Sequence, residues 1–153
     1  MSYNTVEEAN TYVSTHYLDT DESRLMWEKL SDENKQVLLN RGKSIIDHLP
    51  LRGRKTCTTQ TDAFPRNGQT EVPDDVKDAE VEVALIYANT DEAEIQNQYR
   101  RMVNYGISSY SIGNFSESIL SYQKNSMQML YGLASVEAER LLQTWLCGGF
   151  NIE

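Results

Sequence analysis

Side chains able to do acid–base or nucleophilic chemistry are scarce in this chain. Its 153 residues contain two histidines, His16 and His48, and two cysteines, Cys57 and Cys147. A cysteine nucleophile needs its thiol activated by a base or a neighbouring positive charge. Near Cys57 only Arg54 and Lys55 offer that, and both histidines fall at the ends of expected helices, where a hydrogen-bonded structural histidine is the commoner occupant. The stretch Asp19-Thr20-Asp21-Glu22-Ser23 opens like a calcium loop. Its sixth position, which needs glycine, is Arg24, and its twelfth, which needs a bidentate glutamate, is Leu30. There is no phosphate-binding glycine loop, zinc spacing or nucleophile elbow. The expectation is a protein that is not an enzyme, with no catalytic residue, metal or cofactor.

Charge is more informative. Twenty-three acidic residues against 14 basic ones give a net charge of −9, which disfavours general binding to a phosphate backbone. The two signs are also segregated. From Glu71 to Glu94 nine carboxylates (Glu71, Asp74, Asp75, Asp78, Glu80, Glu82, Asp91, Glu92 and Glu94) face Lys77 alone. Just upstream, Arg41, Lys43, Arg52, Arg54, Lys55 and Arg66 are opposed only by Asp47 and Asp62. Two readings stand: a pair of solvated faces, or a head-to-tail contact between copies in which the basic loop of one meets the acidic helix of the next.

These charges must be carried by local structure. The 17.5 kDa chain is the size of a single domain, 1–153, with 39% apolar residues and a mean hydropathy of −0.58. Thr5-Val6-Glu7-Glu8 is a capping-box pattern, and Val6, Ala9, Val13 and Tyr17 continue at helical spacing over 5–17. Arg24 to Leu30 reads as helical around Trp27. Ser31 caps a helix that turns Val37, Leu38, Ile45, Ile46 and Leu49 inward and ends at Pro50. Residues 51–72 have no period and hold most of the basic cluster. A loop of that length in a compact domain is usually functional or mobile. Pro73 opens the strongest helix, with Val76, Ala79, Val83, Ile86 and Tyr87 on one stripe and Asp75, Asp78 and Glu82 opposite, running to about Asn104.

Beyond it the period changes to two. Gly113-Asn114 suits the turn of a hairpin over 107–120, pairing Ile112 with Phe115, Tyr110 with Glu117 and Ser108 with Ile119. Ser135 caps a last helix with Ala138, Leu141, Leu142, Trp145 and Leu146 inward, and Gly148-Gly149 stops it before the tail, which completes 135–153. The fold class expected is mainly α: a small helical bundle with a long central helix, an extended basic loop and a β-hairpin. No signal peptide precedes the first helix, and no apolar run approaches membrane-spanning length. The expected setting is a reducing cytosol, with no membrane partner.

Within the long loop, Phe64-Pro65-Arg66-Asn67-Gly68 joins an aromatic, a fixed φ, an arginine and a turn pair that tolerates φ > 0. It is either an intrachain plug or a contact made for another molecule. In the second case Phe64 anchors the loop and Arg66 reaches a helix C-terminus or an acidic residue of the same or a neighbouring copy.

Four stretches together carry a resemblance. They are YNTVEEANTYV; Trp27 with KSIID; DAFPRNG followed by VPDDVKDAEVEVALIYA; and SSYSIGNFSESIL. In this order they resemble the head–tail connector (head completion, or adaptor) proteins of tailed bacteriophages, a family whose members often carry the label DnaT-like. The resemblance implies a structural virion protein, made in the host cytoplasm and located at the capsid–tail neck. It would form a homo-oligomeric ring, typically a dodecamer in the family, below the portal protein. Its further partners would be a downstream stopper or tail-completion protein, and double-stranded DNA passing without sequence readout. Candidate intersubunit contacts are Arg52, Arg54, Lys55, Phe64, Arg66, Asp75, Asp78, Glu82, Tyr110, Ile112 and Phe115, and Trp145 and Phe150 are candidates for docking on the portal. The label supplies the alternative, a DnaT-like single-stranded-DNA-binding protein, for which Tyr99, Tyr105, Tyr110 and Tyr122 would be stacking platforms beside Arg100-Arg101.

Overall fold

A computed structural model describes residues 1–89, 109–112, 115–118 and 133–147. Among them are five helices: α1 Val6–His16, α2 Glu22–Glu28, α3 Asp32–Asp47, α4 Asp74–Ala88 and α5 Val136–Leu142. The described chain is therefore mainly helical. Strands β1 Ser109–Ile112 and β2 Phe115–Ser118 pair antiparallel, with Ile112 opposite Phe115 and Tyr110 opposite Glu117. Residues 113–114 and the expected pair Ser108–Ile119 lie outside the described residues. No described helix is long and apolar enough to cross a membrane.

Three helix starts follow from local chemistry. The Thr5 hydroxyl accepts from the Glu8 amide while the Glu8 carboxylate accepts from the Thr5 amide, closing the capping box. Ser31 and Ser135 cap α3 and α5 by accepting from the amides of Asn34 and Ala138. Each satisfies an amide that the first turn leaves without an intrahelical partner.

Helix α4 is the hub, and each of the other four described helices contacts it. Val76, Ala79, Val83 and Tyr87 face a core completed by Ile46, Leu49, Phe64, Leu133, Ala138, Leu142 and Leu146. Val81, Ala84 and Leu85 face a second core with Ala9, Val13, Trp27 and Leu39. A helix with cores on both sides is buried along much of its length, and this removes Glu82 from the expected acidic face, whose Asp75 and Asp78 stay half-buried beside an exposed Asp74. Glu82 is 4% exposed and Glu80 fully buried. The expected run to Asn104 is also corrected. Helix α4 ends at Ala88, with Asn89 extended at φ −87° and ψ 95°. Asn89 is of a type that competes with the helix through its own side chain.

One helix face and two boundaries also differ from expectation. Helix α3 buries Lys35, Leu39, Gly42 and Ile46, and leaves Val37 63% exposed. Gly42 sets this rotation: a Cβ there would lie 2.8 Å from the Glu80 carbonyl oxygen, so the two helices meet along that line. Helix α2 begins two residues earlier than the sequence suggests, at Glu22, and ends at Glu28. Helix α5 stops at Leu142 instead of continuing through Leu146. Leu146 bridges Leu51, with the Arg52 amide donating to the Trp145 carbonyl at 2.7 Å and the Cys147 amide to that of Pro50 at 2.7 Å. That pairing needs extended backbone, which a helix cannot supply.

Candidate functional site

The loop between α3 and α4 is held by its own arginine. The Arg66 guanidinium, in a residue 8% exposed, donates through Nε to the Arg52 carbonyl at 2.9 Å. It donates through Nη1 to Ala63 at 3.1 Å and through Nη2 to Gly53 at 2.7 Å. Its planar fork thus collects main-chain carbonyls from both limbs of the loop, a geometry that a lysine could not reproduce. Asn67 and Gly68 take φ of 55° and 81°, as expected for the turn. The Asn67 amide donates to the Arg54 carbonyl at 2.8 Å, and the Arg54 amide returns a bond to Asn67 Oδ1 at 3.1 Å. The Thr56 amide donates to the Pro65 carbonyl at 3.1 Å, so the limbs stay paired past the turn.

Beneath this lattice Phe64 is 2% exposed, edge-on to Trp145 at 5.2 Å and to Tyr3 at 6.2 Å between ring centroids. The plug is anchored from the N-terminal side as well. The Tyr3 hydroxyl donates to Asp47 and accepts from the Phe64 amide at 3.3 Å. Asp47 also takes Lys43 at 2.8 Å and the Ala63 amide at 3.3 Å, and Lys43 reaches Asp62 at 2.6 Å. Burial, then the hydrogen bond to Asp47, pushes the Tyr3 phenol far above its ordinary range.

What this scaffold leaves outside is cationic. Arg52, Arg54 and Lys55 are exposed. Lys55 Nζ donates to the carbonyls of Gln60 and Thr61 at 3.3 and 3.0 Å. Arg52 and Arg54 form no ion pair among the described residues. Two guanidiniums and an ammonium within four residues, on a backbone fixed by hydrogen bonds, can meet phosphates or carboxylates.

The acidic candidates are placed differently. Glu82 accepts from the hydroxyls of Tyr12 and Tyr17, each at 2.7 Å, and both phenols are raised, mainly by burial. Asp75 accepts from Trp145 Nε1 at 2.9 Å. Asp78 is half-buried, and burial raises its carboxyl. Thus Phe64, Arg66, Asp75, Glu82 and Trp145 all have partners within the chain. Tyr110, Ile112 and Phe115 lie in the strand pair, and Phe150 is outside the described residues, as are Tyr99, Arg100, Arg101, Tyr105 and Tyr122.

Two important residues were missed from the sequence. Glu80 accepts from the amides of Tyr3 and Asn4 at 2.8 and 2.9 Å and from Asn4 Nδ2 at 2.7 Å, tying the N-terminal segment to α4. Its position was readable: 80 falls between 76 and 83 on the inward stripe, where a carboxylate must find donors. Gly42 gave no such signal, because a close approach of helices is visible only once both are placed.

The potential catalytic groups are dispersed. His16 stacks on Tyr12 with ring centroids 4.0 Å apart, and its Nδ1 lies 3.0 Å from the Tyr12 carbonyl. His48 Nδ1 lies 2.6 Å from the Ser44 carbonyl. Cys57 and Cys147 are free and exposed. A side-chain hydrogen bond with Thr59 lowers the Cys57 thiol below its ordinary value, but no histidine accompanies it. Among the described residues no cluster of three or more His, Cys, Asp or Glu is placed to hold a metal ion.

A family model described as "Putative DnaT-like ssDNA binding protein" matches residues 2–149, almost the whole chain. No curated protein and no solved structure matches it.

Proposed function

We propose, from the premise that this chain belongs to the DnaT-like family, that it binds single-stranded DNA through the exposed cations Arg52, Arg54 and Lys55. The observation that carries this reading is that Arg52 and Arg54 stand in water without an ion pair among the described residues, on a loop whose shape Arg66 and Phe64 fix. The chief objection from the sequence was the acidic helix beside the loop. It loses part of its force because Glu80 and Glu82 are buried and Asp75 is bonded to Trp145, which leaves Glu71 and Asp74 exposed and Asp78 half-buried. Contacts of this kind are made to phosphates, so they are strongly salt-dependent and read little sequence. The net charge of −9 opposes binding at long range, while the local cation–phosphate contacts are strongest at low salt.

Anisotropy of a labelled oligothymidylate across salt tests this. Three phosphate contacts predict log K falling against log salt with a slope of about −2, and each charge removed by Arg52→Gln or Arg54→Gln should flatten it by about 0.7. A protein that ignores the oligonucleotide at low salt would sink the reading.

A second reading is a ring-forming structural virion protein: a head–tail connector below the portal that joins capsid to tail and extends the channel for double-stranded DNA. It is supported by the four stretches, in order, that resemble that family. Here Arg52, Arg54 and Lys55 would meet exposed carboxylates of a neighbouring copy. Light scattering with and without portal protein separates the two: a large closed species favours the connector, and a monomer indifferent to portal disfavours it.

A further inference from the structure

We infer that Arg66 is a positioning residue for DNA binding: it touches no ligand, but holds Arg52, Arg54 and Lys55 in one arrangement from beneath. The inference rests on the single-stranded-DNA reading and deepens it, making the hold of Arg66 on the loop a determinant of affinity. A guanidinium on a basic loop would ordinarily count as another phosphate contact. Arg66 cannot serve as one in this structure. It is buried, and its fork is taken up by the carbonyls of Arg52, Gly53 and Ala63. Two of those carbonyls belong to the cationic limb itself. Its charge therefore neutralises converging carbonyl dipoles, and the carbonyls of Arg52 and Gly53 fix the backbone that carries the exposed cations.

The same shape depends on Gly53 from the other side. Gly53 sits at φ +77°, and a Cβ there would fall 1.9 Å from Asn67 Oδ1, the atom that accepts from the Arg54 amide. Gly53→Ala therefore distorts the cationic limb without removing a charge or touching either core, whereas Arg66→Met takes its donor from three carbonyls, that of the buried Ala63 among them, and risks wider damage.

Positioning and contact have different signatures. Removing a contact lowers the number of counterions released and flattens the salt slope. Loosening a preorganised loop keeps the same contacts but adds an ordering cost on binding, so affinity falls at every salt while the slope stays.

The experiment measures oligothymidylate affinity across salt for the full chain and for Arg66→Met, Arg66→Lys, Gly53→Ala and Arg52→Gln. Helicity is checked for each, and limited trypsin cleavage within the loop is followed without DNA. The expected result is a loss of roughly tenfold or more in Arg66→Met and Gly53→Ala with the wild-type slope, and a flattened slope only in Arg52→Gln. Arg66→Lys should rescue little, because a single ammonium cannot span three carbonyls. Cleavage after Arg52, Arg54 and Lys55 should accelerate in Arg66→Met and Gly53→Ala. A slope flattened in Arg66→Met as much as in Arg52→Gln would make Arg66 a contact and overturn the inference, as would folded Arg66→Met and Gly53→Ala proteins that bind like wild type. If wild type does not bind DNA, the reading fails by itself. Cleavage then decides the positioning alone: acceleration supports it and unchanged cleavage overturns it.

Discussion

Helix α4 buries two of its five carboxylates, Glu80 and Glu82, whereas the loop that precedes it sends most of its cations outward. On α4, Glu80 and Glu82 end on amides and phenols from the first 17 residues of the chain. In the loop, Arg66 is buried while Arg52, Arg54 and Lys55 are exposed. The difference lies in what surrounds each backbone. A helix packed from all sides has no exit for a short carboxylate, so donors must come to it. A loop that folds back on itself has inward carbonyls for one guanidinium to satisfy, and the remaining side chains point to water. Charge counted along the chain is therefore a poor guide to charge on the surface.

The largest test of this contrast is Phe64→Ala. If the loop stands on its buried aromatic, the truncation should cost about 3–5 kcal/mol of stability, read by chemical denaturation. A cost near zero would mean that Arg66 and the strap at Tyr3 hold the loop without the plug.

Next comes pH. Burial pushes the Glu80 carboxyl up to about 7 from an ordinary 4.5, against the opposing effect of its Tyr3 and Asn4 donors and of Lys43. The folded protein thus holds this proton more tightly than the unfolded chain does. Stability from this group is full below pH 4.5 and is lost as pH rises to about 7. Glu80→Gln should flatten that decline in melts from about pH 4 to about pH 8. Some slope should remain, because burial also raises Asp78 and Glu139. A decline as steep as wild type would assign it elsewhere.

The smallest effect sharpens the other side. Arg52→Gln and Arg54→Gln should change stability by less than about 0.5 kcal/mol, because neither side chain is buried or paired among the described residues. A large loss in either would place that arginine in the fold and remove it from the candidate surface.

The sequence was most legible where structure is local. The capping box at Thr5 and Glu8, the serine caps at 31 and 135, and the positive-φ turn at Asn67-Gly68 are each settled within four residues. The candidate site was legible in part. Composition marked the loop as basic, and Phe64-Pro65-Arg66 as a plug or a contact, but not which of its cations would be spent inside. Glu82 was misread as part of an exposed face because its partners Tyr12 and Tyr17 lie 70 and 65 residues away, on α1 and just past its end, and no local pattern gives their placement.

By itself the sequence determined the capped starts of α1, α3 and α5, the inward stripe of α4, the long loop and the segregation of charge along the chain, because caps, turns and periodicity act over a turn or two of backbone. Only the tertiary structure decided which charges remain on the surface. Gly42 lets α3 close against α4, the first segment brings its amides to Glu80, and α5 ends so that Leu146 can pair with Leu51. Each of these depends on contacts between distant segments, and burial, which sets the fate of a charge, exists only once those segments meet.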